Sequence, residues 1–396
     1  MINVTSPAPK PIHAGGRRQV YYWKCDRPHA FHGTGQERDT AAVEPLLRQQ
    51  LEACYPGRAI TLRDAGGQGN HLTWRVEIDE QQLFARIENG PERDNHLQIE
   101  SHVMARVRAC GVPTPEVLHV DTRRSDVPFA WQLMDRIPAL DLNAVQKAGE
   151  LRPEDVAFEI GEAVARWQSV EVSGFGHFQE EAISDLDSLV GFHARYRDYF
   201  FLNWEKHLSF LEKTRFLTAS ESIAIRDAIH DANDLLDLTS GCLVHKDLAF
   251  WNLLGDRKGV VAYIDWDDAI AGEETDDLSL LACFHEQATI NRVIAGYRSI
   301  KPLPQEFDNR FWMHLIRNLV VKAVIRVGAG YFDRTDRFFL IGAGMTGADL
   351  MQETRSRLFR ALDGLVANTR VAPCQDSPHF SSQSAPIEPT SFTTKR

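Results

Sequence analysis

Hydrophobic positions change period twice along the chain. Leu46, Leu47, Leu51 and Cys54 recur near helical spacing, which predicts a helix over 42–55. The period then shortens to two. Trp74, Val76 and Ile78 alternate with polar neighbours, as do Leu83, Ala85 and Ile87, so strands are expected around 60–63, 71–78 and 82–87. Residues 95–109 return to helical spacing, the prolines of 112–120 fix an extended entry into another strand, and 129–134 reads as the last strand of this half. The second half of the chain is mostly helical in pattern. Pro153 and Glu154 open a helix over 153–169 that sets Val156, Ile160, Val164 and Trp167 on one face. Two or three more helices are expected over 184–236, where Phe192, Tyr196, Tyr199 and Trp204 read chiefly as core. The most apolar helical run, 311–329, is interrupted by Arg317, Lys322 and Arg326, so no membrane span is expected.

A chain of 396 residues exceeds the size at which one core stops growing, so two packed units are expected. We divide it into an N-terminal extension (1–40, partly disordered), a strand-rich unit (41–136), a mainly helical unit (137–369) and a Ser/Pro/Thr-rich disordered tail (370–396). With 44 basic and 55 acidic side chains the formal charge is −11, which argues against nucleic acid as a partner and would draw in a cationic small molecule. Six cysteines lie scattered without C-x-x-C spacing, so neither a zinc site nor a disulfide framework is indicated. With no signal-peptide core, the expected location is cytoplasmic. Oligomeric state is not legible.

Chemistry concentrates in LVHKDLAFWNLLGDRKGVVAYIDWDD, residues 243–268. Asp247 and Asn252 lie in a loop opened by His245, and Asp265 ends the apolar run 260–264. Two short strands turning at Gly255, Asp256 and Gly259 would bring all three to one mouth. Phosphoryl transfer from ATP needs magnesium on the phosphates and a carboxylate that orients the attacking hydroxyl. Asp265 and Asn252 offer the oxygen ligands Mg2+ prefers, which leaves Asp247 as the base.

The pattern H-x-D-x-x-x-x-N followed by I-D-W resembles the aminoglycoside phosphotransferase and choline kinase family. Gly272 with Asp277-Leu278 and the element Gly66-Gly67 with Asn70 extend the likeness. The resemblance implies an α+β, protein-kinase-like fold of two lobes, a small antiparallel-sheet lobe and a larger, mainly helical one. It implies ATP and Mg2+ as cofactors and a small-molecule hydroxyl as acceptor, with amine-bearing sugars, aminoglycosides and amino alcohols among the candidates. By the same likeness Asp247 is catalytic, Asn252 and Asp265 hold the metal, and Gly67, Asn70, Arg86, Glu100 and Met134 contact the nucleotide. Arg86 stands where a lysine is usual, and Glu100 where a helix glutamate pairs with it.

Some readings stay open. Lys246 could touch the γ-phosphate, and the carboxylates Asp267, Asp268, Glu273, Glu274 and Asp276 could hold an amine. For those acids we favour solvated charge, with Asp277 bracing the loop. The cluster YYWKCDRPHAFHG is read as an arm that packs Tyr21, Tyr22, Trp23 and Phe31 on a neighbouring unit, in preference to a substrate-binding role. Gly342, Gly344 and Gly347 fit G-x-G-x-x-G, but only a helical stretch, 348–366, comes after them, so they are read as a loop or helix contact. The alternative to a kinase is a nucleotide-binding, pseudokinase-like regulator without turnover.

Overall fold

The computed structural model describes residues 17–26, 39–66, 71–89, 93–335, 340 and 345–371. A short helix α1 (Trp23–Asp26) and α2 (Thr40–Cys54) precede a five-stranded sheet. Its strands are β1 (Ile60–Asp64), β2 (His71–Ile78), β3 (Gln81–Glu88), β4 (Val117–Asp121) and β5 (Trp131–Asp135), in spatial order β1-β2-β3-β5-β4. All neighbouring strands run antiparallel. Helix α2 starts two residues before the expected position 42, because Asp39 Oδ1 accepts a hydrogen bond from Ala42 N at 3.0 Å and caps it.

Period two decides what faces the cleft. Leu83, Ala85, Ile87 and Leu133 pack with Leu47 and Leu51 of α2 in one core. The intervening Phe84, Arg86 and Met134 therefore point the other way, toward helix α3 (His96–Ala109) and the interior of the molecule.

The remainder is helical with short strands. Helices α4 (Leu142–Lys147), α5 (Pro153–Trp167), α6 (Glu180–Leu186), α7 (Tyr196–Phe200), α8 (Trp204–Lys213) and α9 (Ala219–Asp231) are followed by α10 (Asp276–Leu281), α11 (Gln287–Ile300), α12 (Phe307–Gly328) and α13 (Gly347–Val366). Strands β6 (Leu140–Asp141), β7 (Phe175–Phe178), β8 (Gly191–His193), β9 (Cys242–Val244), β10 (Leu253–Asp256), β11 (Gly259–Tyr263) and β12 (Ile270–Gly272) form two small sheets, ordered β11-β10-β6 and β8-β7-β12-β9. The stretch 184–236, expected to carry two or three helices, also holds β8, which is too short to show a period. Among the described residues no helix is long and apolar enough to cross a membrane.

Thr346 caps α13, and Gly347 is its first residue, where an added Cβ would stand 2.5 Å from the carbonyl oxygens of Tyr331 and Phe332. That glycine serves close packing, as expected for the G-x-G-x-x-G run; Gly342 and Gly344 lie outside the described residues. A tighter approach joins α5 to α11. A Cβ on Gly161 would fall 1.9 Å from Val293 O, and one on Gly296 1.9 Å from Phe158 O. Gly161→Ala or Gly296→Ala must push the two helices apart, at a cost of about 1–3 kcal/mol, read as a lower urea midpoint at unchanged slope.

The aromatic arm packs as expected, on the helical part. Tyr21 stacks on Tyr199 with ring centres 5.0 Å apart, and the Arg317 guanidinium lies 3.5 Å from its centroid on the same ring. Asp26 holds the turn by accepting from Tyr21 N, Tyr22 N and His207 Nε2. Phe31 lies outside the described residues.

Candidate active site

The hairpin expected over 253–263 forms. Gly259 adopts φ +155° at its turn, and Asp256 Oδ1 accepts from Lys258 N at 2.7 Å. Strand β9 delivers the chain into the loop 245–252, and two residues past the end of β11 comes Asp265, which takes the left-handed conformation (φ 62°, ψ 55°). Asp247, Asn252 and Asp265 therefore meet at the floor of a cleft of about 1540 Å³, roofed by Arg86, Phe84, Met104 and Met134.

Asp277 braces this loop. Its Oδ2 accepts from His245 N at 2.8 Å and Trp167 Nε1 at 3.2 Å, and its Oδ1 from Lys246 N at 3.0 Å. His245 supports rather than reacts: Nδ1 accepts from Asp247 N, so the proton sits on Nε2 and is donated to Ile264 O at 3.0 Å. Burial lowers its pKa, which keeps the ring neutral.

Two of the open readings are corrected. Lys246, with φ +69°, turns its ammonium away from the cleft and into the core, onto Asp276 Oδ2 at 2.6 Å and Tyr21 Oη at 2.9 Å. It cannot reach a γ-phosphate from there. The acidic run is not solvated either: Asp267, Asp268, Glu273 and Asp276 are buried. Each meets its own donor, namely Arg17 for Asp267, Trp23 N for Asp268, Thr275 N for Glu273 and Lys246 for Asp276. None of the four lines the cleft, so none offers an amine a place there.

Asp247 is almost fully enclosed. Its Oδ1 accepts from Tyr22 Oη at 2.6 Å and Lys322 Nζ at 2.9 Å, and its Oδ2 from Asn252 Nδ2 at 3.0 Å and from Lys24 Nζ. Burial by itself would raise this carboxyl, but Lys24 and Lys322 hold it well below the usual carboxylate range. Asn252 spends its NH2 group on the backbone and side chain of Asp247, which leaves Oδ1 as its ligand atom. Arg86 bridges the two halves, pairing with the buried Glu100 on one side and with Asp265 Oδ1 at 3.0 Å on the other, and its Nη2 lies 2.9 Å from His71 Nδ1. Burial pushes Glu100 up to about 7 against the pull of Arg86. Met134 lines the cleft while Leu133 faces the α2 core. Gly67 and Asn70 lie outside the described residues.

Sequence reasoning missed four residues here. Tyr22 and Lys24 were read only as part of a packing arm, whereas the arm also reaches Asp247. Lys322 and Arg326 were read only as interruptions of an apolar helix. The signal was present: two cations one turn apart in a run whose other positions are core imply that the pair faces something polar inside the molecule.

The model of the phosphotransferase enzyme family matches residues 61–307. No curated protein sequence matches the chain. Solved structures agree in fold. The aminoglycoside phosphotransferase APH(4)-Ia, in a thermostable mutant form bound to ADP and hygromycin B, superposes with TM-score 0.57 at 16% identity, covering 79% of this chain and 97% of that one. A candidate aminoglycoside phosphotransferase from Ralstonia eutropha gives 0.53 at 17% identity, with 83% and 98% covered. A candidate fructosamine-3-kinase from Haemophilus somnus gives 0.53 at 11%, with 80% and 96% covered. These neighbours carry the expected protein-kinase-like fold, and the family match spans more than half the sequence. The chain belongs to the phosphotransferase enzyme family.

Proposed function

We propose that this protein transfers the γ-phosphate of ATP to a hydroxyl of a small molecule. The observation that carries the reading is the convergence of Asp247, Asn252 and Asp265 beneath the Arg86–Glu100 ion pair. Asp265 and Asn252 Oδ1 present hard oxygen donors and would hold Mg2+, which when bound neutralises charge on the ATP phosphates. Arg86, fixed by Glu100, steadies the phosphates with its planar donor fork. Phe84, Met104, Met134 and Leu72 supply an apolar slot for the base.

Asp247 orients the acceptor hydroxyl. With Lys24 and Lys322 on its oxygens it is a weak base, so its main contribution is position: it accepts the hydroxyl hydrogen bond and aims the oxygen at phosphorus. A loose transition state needs little more, since the hydroxyl proton is lost late. The regulator alternative is disfavoured by the complete Asp, Asn and Asp set and by the intact Arg86–Glu100 pair.

The test is ADP release from Mg-ATP across sugars, amino alcohols, aminoglycosides and nucleosides. We expect release that depends on one acceptor class, disappears when EDTA removes the metal and returns with excess Mg2+. Retained ATP binding without acceptor-dependent release would overturn the catalytic reading in favour of the regulator.

A further inference from the structure

The acceptor half of the cleft is bounded by α12, which passes beneath it. Lys322 and Ile325, then Arg326 and Ala329, present successive turns of that helix to the cleft. Lys322 is committed to Asp247 and Tyr22. Arg326 is 3% exposed, and its one hydrogen bond among the described residues runs from Nη1 to Thr354 Oγ1 at 2.6 Å.

That makes Arg326 unlike its cationic neighbours at the cleft. Lys322 sits on one carboxylate, and Lys24 and Arg86 on two each. Arg326 sits on none. Its surroundings are the Phe284 ring at 5.9 Å and the thiol Cys283, with Arg357 as a further positive charge; burial above all pulls its pKa down to about 10, opposed by Cys283 and then Glu353 and aided by Arg357. A guanidinium taken out of water without a counter-charge in contact is costly, and an anion from outside would relieve that cost.

The rest of this half agrees in sign. Besides Arg326 the cleft presents the cations Lys24, Lys322 and Arg334, and its carboxylates Asp247 and Asp265 are already paired with Lys24, Lys322 and Arg86. Trp251 and Phe284, packed edge to face at 4.9 Å, add an apolar wall. An amine-bearing acceptor would bring another positive charge against these groups, although the whole chain is acidic.

We propose that the acceptor is a hydroxyl compound bearing an anionic group, a carboxylate or a phosphate, which Arg326 binds one helical turn from the hydroxyl held at Asp247. Lys322 and Arg326 are four residues apart on one helix, so hydroxyl and anion are separated by roughly 6 Å. This assignment rests on Asp247 as the residue that receives the acceptor.

Matched acceptors test it: neutral sugars and aminosugars beside sugar acids, hydroxy acids and sugar phosphates of the same skeleton. The expected result is a kcat/KM at least about 10-fold higher for an anionic member, the scale of one charge-assisted hydrogen bond. Carboxylate and phosphate series separate the two sources. Arg326→Gln should raise KM for the preferred anion about 10- to 100-fold and erase the preference, while Arg326→Lys keeps part of it. Preference for neutral or cationic acceptors, or an Arg326→Gln enzyme with the same selectivity, would overturn the proposal. If no acceptor of any charge supports turnover, the kinase reading fails separately, and binding decides the anion site. Anionic compounds should then raise the melting temperature of the native protein but not of the Arg326→Gln protein; an equal response of both rejects the site.

Discussion

Asp247→Asn lowers acceptor-dependent ADP release about 1000-fold, within the range by which a positioned acid–base group accelerates transfer. The substitution keeps the shape of the side chain and an oxygen that can accept from Tyr22 Oη. The other position becomes an NH2 group facing Asn252 Nδ2 and Lys24 Nζ, donor against donor. Lys24 and Lys322 also lose the charge that holds them. The loss should fall on kcat, because Arg86, Met134 and the apolar slot that receive the nucleotide do not touch Asp247. Steady-state kinetics with the best acceptor, run beside a thermal melt, check this. A variant that melts normally and keeps more than a tenth of the rate would remove Asp247 from the mechanism.

Lys246→Met produces the largest loss of stability, about 3–5 kcal/mol, the cost of stripping one partner from a buried ion pair. Asp276 would keep Asn318 Nδ2 at 2.9 Å but lose its ammonium, and Tyr21 Oη would lose its donor in the same cavity. Burial opposes the Asp276 charge, and Lys246 is the chief group that holds it ionised. Because Lys246 adjoins Asp247 and ties Tyr21 to the loop, the same substitution loosens the arm that presents Tyr22. Equilibrium denaturation reads the first effect. A change below about 1 kcal/mol would mean that the pair contributes little to holding the loop.

What could be read from the sequence was local. Alternation over 71–78 and 82–87 specified the strands and their buried face, while Arg86 and Met134 were named by the family resemblance and lie on the opposite, cleft-lining face. The spacing of His245, Asp247, Asn252 and Asp265 carried the hairpin and its loop because all four lie within one local stretch of chain. What could not be read was long-range. Asp267 and Asp276 look solvated until Arg17 and Lys246, each brought from another part of the chain, pair with them in the interior. Tyr22, Lys24 and Lys322 meet on one carboxylate from opposite ends of the sequence, and no periodicity encodes that meeting.

The arm and α12 bear on where the protein can be cut. The family match runs from 61 to 307, yet Tyr22 and Lys24 lie before it and Lys322 and Arg326 after it. A chain trimmed to the matched region would retain Asp247, Asn252 and Asp265 and lose every cation that contacts Asp247. The region that carries the family pattern is thus narrower than the charged cluster built around Asp247, whose cations come from the flanking segments.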